Sequence, residues 1–398
     1  MAEIIGKVIY DINEVDEQIW NECANGTPKV FNPFVDHRFL HALELSASAC
    51  NQTGWQPFHI LLEEDSKIVG AMPLYLKSHS RGEFVFDGGW AAAWERAGGS
   101  YYPKLQSSIP FTPATGSRLL TLPSKEQENR HKHLLQAAIQ VAQKLKVSSL
   151  HVTFLPELES QVAKECGLLE RLDTQYHWRN EGYSHFDDFL QNLSSKKRKN
   201  LRRERRDALS NGISIEWITG ADFREHHWDA FYEFYTDTGY RKWGTPYLTR
   251  EFFSEVSAKM PDQTLLIMAK RNERYIAGAI NFIGGDTLFG RHWGCVEDHR
   301  FLHFEVCYYQ AIDFAIEHNL TYVEAGAQGG HKFARGYMPR TTYSAHWIAD
   351  ASLRKAVAQF LEDESRYVQR DIDYLENHSP YRKDIDLSKF TLQSDTLS

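Results

Sequence analysis

The sequence has few cysteines, and their positions form no pairing pattern. Its 398 residues contain five scattered cysteines, an odd number, and no Cys-x-x-Cys spacing. This argues against a disulfide framework and favours a reduced intracellular protein. The histidines at helix-like spacings have no cysteine or carboxylate framework beside them, which a metal site would need. We therefore expect no bound metal and a cytoplasmic location.

Long apolar runs and several familiar motifs are also missing. No stretch of about 18 apolar residues occurs, so we expect no membrane span. The first residues lack a basic stretch followed by an apolar run, so we expect no secretory signal. There is no Gly-x-Ser-x-Gly, no Walker loop and no dinucleotide fingerprint, which argues against the functions that these motifs mark.

Length and charge narrow the class further. A chain of 398 residues fits two domains better than one. Hydrophobic residues make up 42% and charged residues 25%, which is ordinary globular usage. The net charge of −8 argues against attraction of the whole molecule to nucleic acid or anionic membranes.

Two segments, 58–178 and 265–347, have the pattern of an internal repeat of one α/β unit. Each begins with two apolar runs around a polar turn, which predicts a β-hairpin. Each then has apolar residues at helical spacing, a strand, and a closing pair, His177-Trp178 or His346-Trp347. The alternative is two unrelated α/β units. We favour a repeat and predict two superposable domains, 1–185 and 186–398.

Residues 81–118 form an insert in the first copy, rich in Gly, Trp, Tyr and Pro. A long aromatic loop with little periodicity is typical of a binding loop or lid. The alternative is a structural plug packed between the domains. Near the other end of the chain, apolar residues at helical spacing predict an amphipathic helix over 351–377 that packs on the body.

A dense basic segment lies between the copies and predicts a helix over 195–210. Ser194 or Ser195 can cap it, and Gly212 suits a left-handed position after its end. Cations at a helix N-terminus oppose the macrodipole, so helix stability does not account for them. A polyanion site for RNA or a phosphate-bearing substrate is one interpretation, and a solvated helix paired with nearby acids is the other. The candidate polyanion-binding residues are Lys196, Lys197, Arg198 and Arg202.

The densest polar group lies between Gly290 and Arg340. Its glycines let the backbone approach a ligand and expose amide donors. Glu324 ends a predicted strand, where α/β folds place reacting groups. The alternative is a buried acid paired with Arg335. We predict that five side chains line one pocket between adjacent, splayed strands: Arg291, Glu324, His331, Lys332 and Arg335.

Seven motifs lie along the chain: Asp87–Trp90, Tyr102–Gln106, Pro110–Gly116, His292–Cys295, Leu302–Tyr309, Gly326–Lys332 and Arg335–Tyr337. Together they resemble the FemAB-like, or peptidoglycan biosynthesis/recognition, family of predicted N-acyltransferases in the GNAT superfamily. The resemblance covers roughly residues 18–381. It implies an α/β (α+β) fold of tandem GNAT-like domains with mixed central sheets. Fem-type transferases move an amino acid from aminoacyl-tRNA to an amine of a peptidoglycan precursor.

The resemblance implies attack by an amine on an activated acyl group, without a covalent enzyme intermediate. For this reaction, Glu324 and His331 are our candidates for proton handling. Backbone amides around Trp293–Cys295 are candidates for stabilising the oxyanion. The predicted substrate-binding residues are Arg291, His292, Trp293, Lys332 and Arg335, with Lys104 and Arg118 reaching the same cleft from the insert.

The sequence leaves the acyl donor open. Acetyl-CoA enzymes of this superfamily carry a glycine-rich loop that opens a helix and holds the pyrophosphate. The matching positions, 122–127 and 296–303, are not glycine-rich. This weakens acetyl-CoA as the donor and leaves aminoacyl-tRNA or another donor open; we expect no permanently bound cofactor, with acyl-CoA or aminoacyl-tRNA as the co-substrate. Two alternatives remain: an acetyl-CoA-dependent N-acetyltransferase of a small amine, and a non-catalytic tandem-GNAT protein that binds a cell-wall or tRNA ligand.

Overall fold

A computed structural model describes residues 3–26, 31–242, 244–327, 329–387 and 390. The chain divides into two compact units. Unit 1 takes the chain up to Asp173 and Thr341–Asp371, and unit 2 takes Thr174–Arg340 and the described residues from Ile372 on. A single boundary after residue 185 does not describe this division, because the chain returns to unit 1 late in the sequence. Gln328, in one of the seven motifs, lies outside the described residues.

Strands and helices are mixed along the whole chain. The strands are β1 (Ile4–Ile9), β2 (Trp55–Pro57), β3 (His59–Glu64), β4 (Lys67–Met72), β5 (Tyr75–Lys77), β6 (Lys104–Ser107), β7 (Leu120–Thr121), β8 (Ser149–Leu155), β9 (Leu169–Arg179), β10 (Ile213–Thr219), β11 (Thr264–Arg271), β12 (Arg274–Ile283), β13 (Thr287–Cys295), β14 (Tyr322–Ala327) and β15 (Met338–Ile348). The helices are α1 (Glu17–Ala24), α2 (His37–Leu45), α3 (Gly88–Arg96), α4 (Gln127–Leu145), α5 (Glu157–Glu165), α6 (Phe186–Asn192), α7 (Ser195–Ala208), α8 (Glu225–Lys242), α9 (Arg250–Lys259), α10 (Leu302–Phe304), α11 (Gln310–Glu317) and α12 (Ala351–Asn377). A π-helical turn, Glu305–Tyr309, joins α10 to α11.

In unit 1, the strand orders are β1-β3-β4-β7 and β2-β5-β6-β8-β15. Only Phe58 separates β2 from β3, and two residues separate β4 from β5, so each pair is one bent strand. The central strand β8 is buried along its whole length. It pairs parallel with β6 and antiparallel with β15, and α4 packs on the apolar core that these strands form.

In unit 2, the strand order is β10-β11-β12-β13-β14-β9. The strands from β10 to β13 are antiparallel neighbours, β14 is parallel to β13, and β9 is antiparallel to β14. Helix α11 supplies the crossover between β13 and β14, which parallel neighbours require. Its buried side chains pack with Trp178 and Val323 in the core of the unit.

The two units have the same strand order, which confirms that part of the repeat prediction. Each has antiparallel strands, a helical crossover to a parallel strand, and an antiparallel closing strand. The closing strands are exchanged, however. β9 comes after the first copy in sequence and closes unit 2, while β15 comes after the second copy and closes unit 1. The His-Trp pairs therefore belong to the opposite units from their sequence neighbours.

The structure also tests the predicted helices and the insert. Helix α12 has the predicted bounds, Ala351–Asn377. The basic helix spans Ser195–Ala208, and Gly212 lies beyond its end with a left-handed φ of 72°. The insert is not an irregular loop, because it contains α3 and β6, and its Trp90 and Tyr101 are buried in unit 1. This packing favours the structural plug over the lid, with the plug filling unit 1 itself.

Candidate active site

Strands β13 and β14 of unit 2 run together briefly and then part. Three parallel pairs join them, at Thr287, Leu288 and Phe289 of β13. The last pair, Phe289 with Glu324, is the end of the ladder between these strands in the described ranges. Beyond this pair, the edges of β13 and β14 that face each other have no ladder between them in the described ranges. This confirms the prediction that the two polar segments lie on adjacent strands that splay.

Both strands are irregular where they part. On β12, Asn281 pairs with Gly290 and the next residue back, Ile280, pairs with His292, so Arg291 is the extra residue of a β-bulge. Strand β14 has a second irregularity between Glu324 and Ala327. A bulge bends a strand and re-aims a side chain, and bulges are frequent beside active sites. The bulge therefore removes the Arg291 side chain from the regular up-and-down alternation of side chains along β13.

Gly326 supports this irregularity. Its φ of 75° is in the left-handed region, which a residue with a side chain rarely adopts. A Cβ atom at Gly326 would lie 3.8 Å from Nη1 of Arg291 and 3.7 Å from the carbonyl oxygen of Gly290. The Arg291 guanidinium therefore lies beside the backbone of β14 at the start of the gap.

Glu324 lies between a histidine and an arginine. Its register partner on β9 is His177, and Oε1 of Glu324 is 3.8 Å from Nε2 of His177. Paired residues on neighbouring strands point to the same face of a sheet, so both side chains share one face. Burial lowers the pKa of Arg291 to about 10, while the charge of Glu324 acts to raise it. The half-buried carboxylate thus has a cation and a hydrogen-bonding ring beside it.

Lys332 also lies at the gap. Its ammonium group is buried and donates to the carbonyl oxygen of Gly326 at 2.8 Å. Burial, and then the charge of Arg291, lower its pKa to about 7. Two basic side chains this close to each other favour an anionic group beside them. The structure thus brings together three of the five predicted pocket residues: Arg291, Glu324 and Lys332.

Arg335 has a different role from the one predicted. Its Nη2 donates to Glu204 on α7 at 2.8 Å, its Nη1 to the carbonyl oxygen of His331 at 2.7 Å, and its Nε to Tyr309 Oη at 3.1 Å. The guanidinium is buried and all three of its nitrogens are engaged. The interpretation of Glu324 as the partner of Arg335 is therefore wrong. Arg335 fixes the turn that carries Lys332 to helix α7.

The other predicted residues of unit 2 lie around this core. His331 is exposed, and its Nε2 is 2.9 Å from Tyr308 Oη in the π-helical turn. Burial, then Lys332 and Arg335, lower the pKa of His331. The ring centroid of His292 lies 5.2 Å from that of Tyr235 on α8. Burial, and then the charge of Arg291, lower the pKa of His292 to about 3. Trp293 packs against the unit 2 core and the ring of His303.

Lys104 and Arg118 belong to unit 1, and both are fully buried. Lys104 donates to Glu83 at 2.7 Å and also to Asp87. Burial acts to lower its pKa, but these two carboxylates raise it overall. Arg118 donates to three carbonyl oxygens of its own segment. Because both side chains are enclosed by unit 1, the prediction that they reach a substrate cleft is not supported by their placement.

Helix α7 presents two different faces. Leu201 and Ala208 are buried, and Arg205 pairs with Glu305 at 2.9 Å. On the opposite side, four cations recur at intervals of three and four residues, and we call them the basic stripe: Lys196, Lys199, Arg203 and Arg206. The first three form no ion pair with any residue that the structure describes. Arg206 pairs with the adjacent Asp207.

Three of the four predicted polyanion residues differ from this stripe. Lys197 is half-buried, Arg198 donates to Gln191, and Arg202 pairs with Asp187 at 2.9 Å. The sequence prediction chose cations by density alone. The helical period of 3.6 residues would have separated the stripe from the cations that face neighbouring elements.

Two other kinds of site are absent from the described ranges. No group of three His, Cys, Asp or Glu side chains there could hold a metal ion. No helix in the same ranges is long and apolar enough to cross a membrane.

Comparison with known proteins places the chain in a family. The FemAB_like family, described as peptidoglycan biosynthesis/recognition, matches residues 11–383. No curated protein matches the chain. The FemX crystal structure has a TM-score of 0.52 at 14% identity, over 89% of this chain and all of FemX. The C-terminal domain (DUF2156) of a putative lysylphosphatidylglycerol synthetase from Agrobacterium fabrum has a TM-score of 0.52 at 8% sequence identity. The match covers 89% of this chain and 97% of that domain.

A tandem GNAT protein from the clavulanic acid biosynthesis pathway has a TM-score of 0.45 at 12% identity, over 87% of this chain and 98% of its own. At these identities the structural likenesses concern the fold alone. The strand order with its helical crossover is repeated in both units. The chain therefore belongs to the FemAB_like family, and its fold, with one α/β strand order repeated in two units, is similar to that of FemX.

Proposed function

We propose that unit 2 transfers an activated acyl or aminoacyl group to an amine, and that the amine belongs to a peptidoglycan precursor. The parting of β13 and β14 beside Glu324 is the observation that carries this proposal. It leaves backbone donors next to a carboxylate and two basic side chains, Arg291 and Lys332. The description of the family as peptidoglycan biosynthesis/recognition supports the choice of acceptor.

In this reaction the Glu324 carboxylate takes a proton from the attacking amine. An amine attacks as its neutral form, so the site must remove a proton before or during bond formation. Glu324 is the carboxylate at the point where the strands separate, and 13% of its side-chain surface is exposed. Arg291 favours its ionised form, since a nearby cation stabilises a carboxylate.

The amide of Trp293 is the best placed donor for the oxyanion. The Cys295 amide donates to Thr238 Oγ1 at 3.3 Å, and the Val296 amide donates to Ile276 on β12 at 2.9 Å. Amides alternate in direction along a strand, so the Trp293 amide points to the same side as that of Cys295, away from β12. Of the three predicted amides, Cys295 is engaged, Gly294 faces β12, and Trp293 faces the gap.

For the donor, we propose an aminoacyl-tRNA ahead of acetyl-CoA. The segment between β13 and the helical run Leu302–Glu317 contains no glycine and ends at Phe301, which has a left-handed φ of 65°. It therefore lacks the glycine-rich loop that brings a pyrophosphate close to the amides of a helix N-terminus. The basic stripe on α7 favours a donor with a phosphate backbone. A thioester donor, acetyl-CoA, is the second candidate.

The test is a transfer assay on the full-length protein. The protein is incubated with either acetyl-CoA or a pool of aminoacylated tRNA, together with a short peptide that has a free lysine amine. Mass spectrometry then measures the mass gained by the peptide. We expect transfer from the tRNA pool, and Glu324→Gln should reduce it about 10²–10⁴-fold.

Glu216→Gln is the matched control. Glu216 is also a partly exposed carboxylate in unit 2, but it pairs with Lys270 on the neighbouring strand β11, away from the gap. Its replacement should leave transfer nearly unchanged. Transfer from acetyl-CoA alone would select the second donor. No transfer from either donor, or equal loss in both variants, would contradict the proposed function.

A further inference from the structure

His177 has a geometry that the transfer mechanism described so far does not use. It lies on the exchanged strand β9, directly opposite Glu324, and shares a sheet face with it. Its side chain is mostly buried and keeps 14% of its surface exposed. The sequence identified this histidine only as half of a repeated His-Trp pair.

The neighbours of His177 determine which ring nitrogen carries the proton. Nε2 lies 3.3 Å from the amide oxygen of Gln175 and 3.8 Å from Oε1 of Glu324. Both atoms are acceptors, so Nε2 is the nitrogen that donates. In the neutral ring, Nδ1 then keeps a lone pair. Nδ1 has no hydrogen-bond partner among the residues that the structure describes.

The surroundings also keep this ring neutral. Burial is the main cause that lowers the pKa of His177, to about 3, and the charges of Arg340 and Lys332 act in the same direction. A neutral imidazole with a free Nδ1 accepts a hydrogen bond and cannot hold an anion. The group that suits Nδ1 is therefore an N–H or O–H donor of the substrate.

We propose that His177 accepts a hydrogen bond at Nδ1 from the acceptor amine and thereby aims the lone pair of its nitrogen at the acyl carbon. The proposal rests on the proposed function of unit 2. The nitrogen forms a bond to the carbonyl carbon, and the bond from that carbon to the donor's ester oxygen or thioester sulfur breaks. The amine proton passes to Glu324 and then, through solvent, to the leaving oxygen or sulfur, which restores the carboxylate. His177 itself is neither protonated nor consumed.

Two substitutions of His177 distinguish the role of Nδ1 from that of Nε2. His177→Gln keeps an N–H group near the place of Nε2 but removes the acceptor at Nδ1. His177→Asn keeps an acceptor near Nδ1. We expect His177→Gln to raise the KM for the lysine peptide roughly tenfold, the size expected for one lost hydrogen bond, with the KM for the donor unchanged. His177→Asn should recover most of that loss.

Nuclear magnetic resonance of the full chain with ¹⁵N-labelled histidine keeps this test independent of turnover. His177, assigned from the spectrum of His177→Gln, should be the neutral Nε2–H tautomer from pH 5 to 8. Addition of the lysine peptide should shift the ¹⁵N resonance of Nδ1 but not change its protonation. An Nδ1–H tautomer, or an Nδ1 resonance that the peptide leaves unchanged, would overturn the role of His177 even if transfer is observed. Loss of transfer with the Nδ1 shift retained would count against the proposed function alone.

Discussion

The central strands of unit 1 and unit 2 part within one residue pair of the same point. In unit 2, β13 and β14 separate after Phe289 pairs with Glu324. In unit 1, the counterpart pair of β6 and β8 is Gln106 with His151, and the ladder ends one pair later, at Ser107 with Val152. The closing strands mark the same positions, because His177 lies opposite Glu324 and His346 lies opposite His151. Glu324 and His151 are therefore counterparts.

The two units differ in the chain immediately beyond these pairs. In unit 2 the strand β13 continues with one bulged residue, Arg291. In unit 1 the chain leaves β6 at Ser108, and β7 resumes the strand at Leu120. Most of this segment is buried, and the Gly116 amide donates to the Phe154 carbonyl at the end of β8. Unit 1 thus fills with its own chain the space that unit 2 leaves beside its carboxylate.

The charged groups differ between the units in the same way. In unit 1, Lys104 is fully buried between Glu83 and Asp87, and His151 is 2.6 Å from His346 through their Nδ1 atoms. These groups pair with one another and are enclosed. In unit 2, Lys332 has a pKa lowered to about 7, and Glu324 is partly exposed. The polar groups of unit 1 thus stabilise the segment that fills its interior, whereas those of unit 2 lie beside the gap between β13 and β14.

The largest expected effect comes from replacing Glu324 by glutamine and comparing it with the same replacement of its counterpart, His151. Glu324→Gln should reduce turnover about 10²–10⁴-fold, because it removes the proton acceptor. His151→Gln should leave turnover of the folded protein nearly unchanged and lower its stability by about 1–2 kcal/mol, because it disturbs a buried hydrogen-bond network. Steady-state rates and thermal unfolding measure the two outcomes. A loss of turnover in His151→Gln as large as in Glu324→Gln would break the comparison.

A second prediction concerns the plug of unit 1. Arg118→Met removes the guanidinium that bonds the carbonyl oxygens of Ala114, Gly116 and Ser117. Because buried acceptors are left unpaired, unfolding free energy should fall by about 3 kcal/mol. Urea unfolding measures this loss, and the exposed Arg203→Met is the control, with a change within about 0.5 kcal/mol. Equal stability of the two variants would mean that the plug does not hold unit 1 together.

The third prediction asks which unit binds RNA. Replacing Lys196, Lys199 and Arg203 by Met should weaken binding of unacylated tRNA about 10–100-fold and reduce the salt slope by roughly 2–3. The control replaces three exposed lysines of unit 1 in the same way: Lys125, Lys144 and Lys355. Filter binding at several salt concentrations compares them. If tRNA does not bind, or if both triple variants lose the same affinity, the helix is only a solvated one.

The last prediction distinguishes Lys332 from Lys104. In the unfolded chain Lys332 keeps its proton up to about its ordinary pKa of 10.5, but in the folded protein it loses it near 7. Between these values the unfolded state binds more protons, so Lys332 makes stability rise with pH, by at most about 1.4 kcal/mol per unit. Lys332→Met should remove this rise from the pH profile of urea unfolding. Lys104, with a raised pKa, gives no such rise in this window. Identical pH profiles of the wild type and Lys332→Met would contradict the lowered pKa.

Several features were predictable from the sequence because local patterns determine them. The helical period of apolar residues gave the bounds of α12, and the polar groups around Gly290 and Glu324 were correctly placed on adjacent strands. Strand alternation and helix periodicity are properties of neighbouring residues, so a single sequence contains them.

Other features depend on contacts between distant residues. The exchange of β9 and β15 between the units could not be predicted, because both closing strands carry the same His-Trp pair and either strand would fit either unit. Arg335 was assigned to Glu324 by proximity in sequence, whereas it pairs with Glu204, which is 131 positions away. The role of the insert was also hidden, since aromatic residues suit both a buried plug and a binding loop.

Hydrogen exchange measured by mass spectrometry tests most directly whether the acyl donor enters unit 2 only. The full-length protein is measured alone, with acetyl-CoA, and with aminoacylated tRNA. We predict that one donor slows exchange in residues 290–295 and 323–327 and leaves residues 104–119 and 149–155 unchanged. Protection of the unit 1 segments with no change at 290–295, or no protection of either gap by either donor, would contradict this division of roles between the units.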